Sequence, residues 1–253
     1  MTPTLSTQDL TIRFGGHVAV DHVTCDFHPG ELTVIVGPNG AGKTTYFNMI
    51  SGQLAPSEGR VIKDGTDLTH MPPSSRARRG IGRAFQLTNL FPQLSVLENI
   101  RLAVQAQSGE GLRLFRPVSK FTHLREAAEK HLEAARLSEV ANVAAATLSH
   151  GDQRKLEVAL LMAMEPDIYM FDEPTAGMSL DHAPDVLELI AELKADKSKT
   201  VLLVEHKMDV VRALADRIIV LHNGALIADG NPEEVMSSQI VRDVYLGGAG
   251  AAA

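Results

Sequence analysis

Gly37-Pro38-Asn39-Gly40-Ala41-Gly42-Lys43-Thr44 fits the spacing G-x-x-x-x-G-K-[ST], a pattern suited to gripping a chain of phosphates. Gly37, Gly40 and Gly42 would let the backbone approach phosphate with no Cβ in the way. Successive backbone N–H groups then aim at phosphate oxygens, at a helix N-terminus where negative charge is favoured. Lys43 offers a point charge to the β- and γ-phosphates. The Thr44 hydroxyl is placed to ligate Mg²⁺, with Thr45 next in the turn. A glycine turn before a chance Lys-Thr pair is the simpler account. It is opposed by the strand pattern before the loop and the helix pattern after it.

Asp172 and Glu173 end a second apolar run, Ile168-Tyr169-Met170-Phe171. In open α/β sheets ligands gather beyond the carboxyl ends of the strands. There Asp172 can hold Mg²⁺ directly or through water, and Glu173 can polarise a water that attacks the γ-phosphate. The plainer reading is a solvated acidic strand end. Leu148-Ser149-His150-Gly151-Asp152 precedes an apolar helix over Leu156 to Met164. Ser149 as N-cap with Asp152 three residues on makes a capping box. A capped helix start beside a glycine is also an anion site. It lies so far along the sequence from the loop that it need not reach the nucleotide held by its own chain. His206 follows the apolar run Val201 to Val204, where a surface histidine at a strand end is the alternative. With Gln86, these segments describe a chain that binds MgATP, hydrolyses it and needs a second subunit to do so.

Such groups need a scaffold to bring them together. Leu32-Thr33-Val34-Ile35-Val36 lacks polar alternation and reads as a strand buried on both faces of a parallel sheet. Leu5 to Phe27 alternates, which predicts an antiparallel hairpin broken at Gly15-Gly16. A helix is expected from Thr44 to Ser51, then β structure with turns at Glu58-Gly59 and Asp64-Gly65. From Val96 to Ala163 the pattern is helical, with Leu124, Ala128, His131, Leu132 and Ala135 on one face. Ser108 to Lys120 reads as an exposed loop. Strands return at Ile168 to Phe171, Thr200 to Val204 and Ile218 to Leu221, and the helix Ala183 to Ala195 separates two of them. The expected fold class is α/β: a P-loop ATPase core with a mainly parallel sheet, an antiparallel β subdomain and an inserted α-helical subdomain. Residues 1–92 and 158–235 would form the core with its β subdomain, 93–157 the helical subdomain and 236–253 a tail.

Composition narrows the function classes. A formal net charge of −7 argues against a nucleic-acid surface as the main business of the chain. No stretch reaches 18 uninterrupted apolar residues, so nothing is expected to span a membrane. Met1-Thr2-Pro3-Thr4 lacks the basic and apolar blocks of a signal peptide. Cys25 stands alone, which fits a reducing cytosol and no disulfide framework. Arg76, Arg78 and Arg79 form a short basic run that reads as a solvated face.

With these motifs, the chain resembles the nucleotide-binding subunit of an ABC transporter from about Leu5 to Gly247. The resemblance implies a head-to-tail dimer holding two ATP molecules. Each ATP would be gripped by the phosphate loop of one subunit and by Ser149, His150 and Gly151 of the other. It further implies that Phe14 stacks on adenine, although an ordinary hairpin aromatic packed on the core is a fair rival. Gln86 would sense Mg²⁺ and the attacking water and couple to the membrane subunit, and His206 would contact the γ-phosphate. The implied partners are a second ABC ATPase subunit (identical or similar), integral membrane permease subunits and, indirectly, a solute-binding protein. No nucleic acid is implied, and the expected place is the cytoplasmic face of the bacterial inner membrane. Arg79 to Gln86, Gly151 to Glu157 and Val244 to Gly247 are similar, more closely, to the ATPases of branched-chain (hydrophobic) amino acid importers. ABC ATPases that act on DNA or ribosomes carry coiled coils, tandem halves or basic segments, none of which is visible in the sequence.

Three positions depart from the family pattern. His150 replaces a glycine, Asp152 a glutamine and Ser179 an aspartate. A carboxylate near a triphosphate is unfavourable unless it turns away. Asp152 is therefore expected to cap its own helix and leave Ser149 and the Gly151 amide facing ATP. Ser179 puts in question the communication between the two ATP sites.

Overall fold

The computed structural model describes residues 2–84, 90–109, 122–178 and 183–247. The first half runs β1 (Leu5–Phe14), β2 (His17–Phe27), β3 (Leu32–Val36), α1 (Lys43–Ser51), β4 (Glu58–Lys63), β5 (Thr66–Asp67), α2 (Pro73–Ala77) and β6 (Ile81–Arg83). Then come α3 (Val96–Gln107), α4 (Thr122–Ala134), α5 (His150–Ala163), β7 (Ile168–Asp172) and α6 (Ala183–Ala195). The chain continues with β8 (Thr200–Val204), α7 (Met208–Leu214), β9 (Arg217–His222), β10 (Ala225–Gly230), α8 (Pro232–Ser237) and α9 (Gln239–Gly247). Two compact units result. The first comprises Met1–Ile81, Asp167–Glu173 and Lys194–Ala253, and the second Gly82–Pro166 and Pro174–Leu193.

The first unit holds two sheets. One is antiparallel, in the order β2-β1-β4-β5, and is built on the hairpin that the alternation predicted. In the other, the strands follow the order β10-β9-β3-β8-β7, with Ile81 of β6 at the edge. Within it, β9, β3, β8 and β7 pair in parallel, and β10 pairs antiparallel with β9. Every residue of β3, β7 and β8 is buried, as expected of apolar runs covered on both faces. Leu5, Phe27, Phe47, Ile50, Met170 and Leu202 belong to one apolar core.

The parallel register has a functional consequence. Leu32 lies opposite Val201 and Ile35 opposite Val204, while Asp172 also lies opposite Val204. The three strands therefore end at the same edge of the sheet. The residues that follow them, which are the phosphate loop, Glu173 and Glu205-His206, are delivered to that edge together.

Two expectations change. Glu58-Gly59 is no turn: it opens β4, where the register with β1 shifts between Gln8 and Thr11. Gly59 adopts φ +85° there, and a Cβ would lie 2.3 Å from the Asp9 carbonyl oxygen. A glycine demanded by a bulge carries the same signature as one demanded by a turn. Arg78 and Arg79 are exposed, but Arg76 is only 1% exposed. Its guanidinium is satisfied by backbone carbonyls, which a count of local charges cannot foresee.

Arg217 fastens β9 to its neighbours. It makes a bidentate pair with Asp229 at 2.5 and 2.6 Å, donates to the Asp26 carbonyl, and lies 5.9 Å from the Phe27 ring centroid. Burial works against its charge, but Asp229 and Glu31 outweigh burial and hold its pKa up. Beside it, burial pushes the Cys25 thiol up to about 11. In the folded protein Cys25 should resist an aromatic disulfide reagent at pH 8 and react at once in denaturant. Rapid colour release from native protein would contradict this packing.

In the second unit, α3, α4 and α5 pack together. Leu124, Ala128 and Leu132 are buried along the predicted face of α4, and Ala135 is buried just past its end. Ser95 caps α3 by accepting from the Glu98 amide. The expected exposed loop from Ser108 to Lys120 lies largely outside the described residues. No described helix is long and apolar enough to cross a membrane.

Candidate functional site

At the sheet edge of the first unit a cleft of about 390 Å³ is lined by Phe14, His17, the loop from Asn39 to Thr45, Glu173 and His206. These residues come from four separate stretches of sequence. That size suits a small-molecule ligand.

The loop is shaped by its own backbone as well as by what it would bind. Gly37 has φ +150°, and a Cβ there would sit 2.1 Å from the Leu221 carbonyl oxygen. Gly42 has φ +94°, and its Cβ would sit 2.4 Å from the Ala19 carbonyl oxygen. The spacing alone points to access for phosphate. At these two positions the first requirement is close packing against β9 and β2. Gly40, exposed at the loop tip, has open space where a Cβ would go.

Lys43 opens α1 and is buried. Its ammonium donates to the carbonyls of Gly37 at 2.7 Å and Pro38 at 3.0 Å. Burial lowers its pKa, while Glu173 and Asp172 oppose that shift. A cation is thus held inside the loop with two carboxylates nearby. Asp172 is buried at the end of β7, and Thr44 is part-buried in the cleft wall. Both offer hard oxygen donors of the kind Mg²⁺ takes.

Glu173 has φ +49°, an uncommon conformation for a glutamate. Its amide donates to the Val204 carbonyl at 2.9 Å, which fixes the turn against β8. Its Oε1 lies 2.6 Å from His206 Nε2. His206 is held in turn by Glu205, whose Oε2 accepts from the amides of His206 at 2.6 Å and Lys207 at 3.1 Å. Glu205 is 3% exposed and was missed by sequence reasoning. The available signal was an acidic residue at an apolar strand end, the same signal that marked Asp172. Phe14 is 50% exposed at the cleft, so it is not the core aromatic that was its rival reading. Gln86 and Ser179 lie outside the described residues.

In the second unit, Ser149 caps α5, which begins at His150 rather than at Leu156. The Ser149 hydroxyl accepts from the Asp152 amide at 3.1 Å and donates to the Asp152 carboxylate at 2.8 Å. Lys155, which is buried, pairs with Asp152 at 2.7 Å. The expectation that Asp152 turns back onto its helix matches this geometry. Lys155, its neutralising partner, was not singled out. Ser149 and His150 are exposed and Gly151 is buried. The same unit carries an apolar groove of about 440 Å³, with Leu90, Phe91, Leu102, Leu160 and Met164 among its walls. Phe91 is 56% exposed and Met164 45% exposed.

Comparison with known proteins agrees with this geometry. The ABC transporter family model matches residues 20–176, and a model for branched-chain amino acid ATP-binding cassette transporters matches residues 225–251. The chain is 39% identical to the high-affinity branched-chain amino acid transport ATP-binding protein LivG of Escherichia coli K12, over 98% of this chain and 99% of that one. To BraF of Pseudomonas aeruginosa, a protein described in the same terms, it is 38% identical over 98% and 99% of the two chains. The crystal structure of an ABC transporter cassette in its ADP conformation superposes with a TM-score of 0.81 at 32% identity, over 98% of this chain and 100% of that one. A dimeric bacterial ABC transporter cassette gives a TM-score of 0.76 at 28% identity, over 90% and 98% of the two chains. This chain belongs to the ABC transporter family, as one of its ATP-binding, ATP-hydrolysing subunits.

Proposed function

We propose that this subunit powers the import of branched-chain amino acids or closely related small solutes, working as a dimer against membrane permease subunits. The observation that carries the site assignment is the gathering of Phe14, the phosphate loop, Glu173 and His206 in one cleft. The solute rests on near full-length similarity to LivG and BraF.

In this reading Phe14 receives the adenine face, and the amides from Asn39 to Thr45 receive the phosphates. Lys43 exchanges its two carbonyl partners for β- and γ-phosphate oxygens. Thr44, Asp172 and Gln86 would hold Mg²⁺, whose contribution when bound is to neutralise charge on those oxygens. Glu173 accepts a proton from the attacking water, and His206 fixes the carboxylate and meets the γ-phosphate. Ser149, His150 and Gly151 of a second subunit close the site. The Asp152–Lys155 pair keeps the carboxylate from repelling the nucleotide. The helical segment 93–157 serves as the signature subdomain. The apolar groove in the same unit suits a permease subunit, which would hold the chain at the membrane. The solute-binding protein would act only through that permease.

The test is reconstitution. The chain, purified gently with whatever membrane subunits it retains, is placed in vesicles with ATP inside the compartment that it faces. ATP- and Mg²⁺-dependent uptake of leucine, isoleucine or valine is expected once a binding protein is added. Uptake of a different solute, such as urea or an amide, would replace the assigned cargo. No retained membrane protein would remove the transport role.

A further inference from the structure

Arg76 sits at the far end of the helix whose near end forms the phosphate loop. Its guanidinium donates to the carbonyls of Met49 at 2.7 Å and Ile50 at 2.6 Å, in the last turn of α1. It also donates to Thr69 at 2.8 Å and Met71 at 3.0 Å in the strand-to-helix connection before α2. Gly52, with φ +83°, leaves room for it: a Cβ there would come within 2.7 Å of Arg76 Nε. A fully buried arginine normally has a carboxylate partner. Among the described residues the carboxylate that acts on Arg76 is Asp67, at a distance, and Asp67 already accepts from the amide and hydroxyl of Thr69. Burial lowers the Arg76 pKa to about 10, so it stays charged at neutral pH.

A buried cation on the carbonyl end of α1 faces the negative pole of the helix dipole. The other end of this nine-residue helix lies about 13 Å away and carries Lys43 and Thr44. From this geometry we infer that Arg76 is a positioning residue for phosphate binding. It anchors α1 from behind, and its charge makes the N-terminal end of α1 more attractive to anions. The inference rests on the proposed role of the phosphate loop. It assigns a function to a residue that touches no nucleotide.

The test reads affinity against ligand charge. Measured without Mg²⁺, so that ligand charge falls from ATP to ADP to AMP, Arg76→Met should weaken ATP binding roughly tenfold, ADP binding less, and AMP binding by less than about twofold. A merely structural role would lower all three affinities alike, or lower only the melting temperature. Arg76→Lys keeps the charge and should keep the graded preference for ATP, even if it melts earlier. Arg76→Gln can still donate to carbonyls and serves if the Met variant does not fold. It should show the same graded loss. Equal losses for the three nucleotides, or no loss in either uncharged variant, would overturn the inference. If the unaltered chain binds no ATP, or Lys43→Met binds it as well as the parent, the failure lies in the phosphate-loop assignment instead.

Discussion

Glu173→Gln should bind MgATP as tightly as the parent, or more tightly, and lose turnover by roughly a hundredfold to ten-thousandfold. The substitution is nearly isosteric. Gln can keep a hydrogen bond to His206 across the 2.6 Å contact, so the turn at φ +49° and the ring orientation survive. What disappears is the group that can take a proton from water. A carboxylate beside a triphosphate also repels it, so removing that charge favours binding. Two measurements are needed on the same sample, ATP affinity by calorimetry and steady-state phosphate release. Size measurement by light scattering extends the result. With hydrolysis blocked, ATP should convert monomer to dimer if Ser149 and Gly151 of identical chains can close the site. Persistence as an ATP-bound monomer would mean that the second half comes from a different ATPase chain or needs the membrane subunits for alignment. Turnover within a fewfold of the parent would sink Glu173 as the base.

Local motifs were readable where one short segment carries both the chemistry and its own scaffold. The phosphate loop is such a case, since the strand, glycines, Lys43 and helix are contiguous. The convergence of Glu173 and His206 on that loop follows in the sequence from the apolar runs before each of them and, for His206, from the family resemblance. The physical cause is the parallel register that ends β3, β7 and β8 together. Other features depend on partners far along the chain. Arg76 looked like part of a solvated run, and its burial is decided by carbonyls at Met49 and Ile50. Gly59 looked like a turn because a bulge and a turn ask for the same positive φ. Gly37 and Gly42 were assigned to ligand access, whereas Leu221 and Ala19 across the fold already forbid a side chain there. Glu205 is adjacent to His206, but its role follows from a side chain folding back to hold two amides, which no spacing rule encodes.

Lys43→Met should remove most nucleotide affinity while leaving the fold intact. The parent ammonium is buried and bonded, among the described residues, to the carbonyls of Gly37 and Pro38, with Asp172 and Glu173 acting on it through space. Methionine matches its length and is favourable in a buried site, so the melting temperature should change little or rise. Binding is different. A unit charge about 4 Å from a phosphate oxygen near a protein surface contributes roughly 4 kcal/mol, close to a thousandfold in affinity. Losing it also leaves Asp172 and Glu173 facing the triphosphate with less compensation, so the penalty should grow from AMP to ADP to ATP. Titration calorimetry with each nucleotide, beside thermal melts of both proteins, checks the pair of expectations. ATP affinity within tenfold of the parent would show that the loop amides and Mg²⁺ dominate. Lys43 would then be a structural strut for the loop carbonyls rather than the charge that grips phosphate.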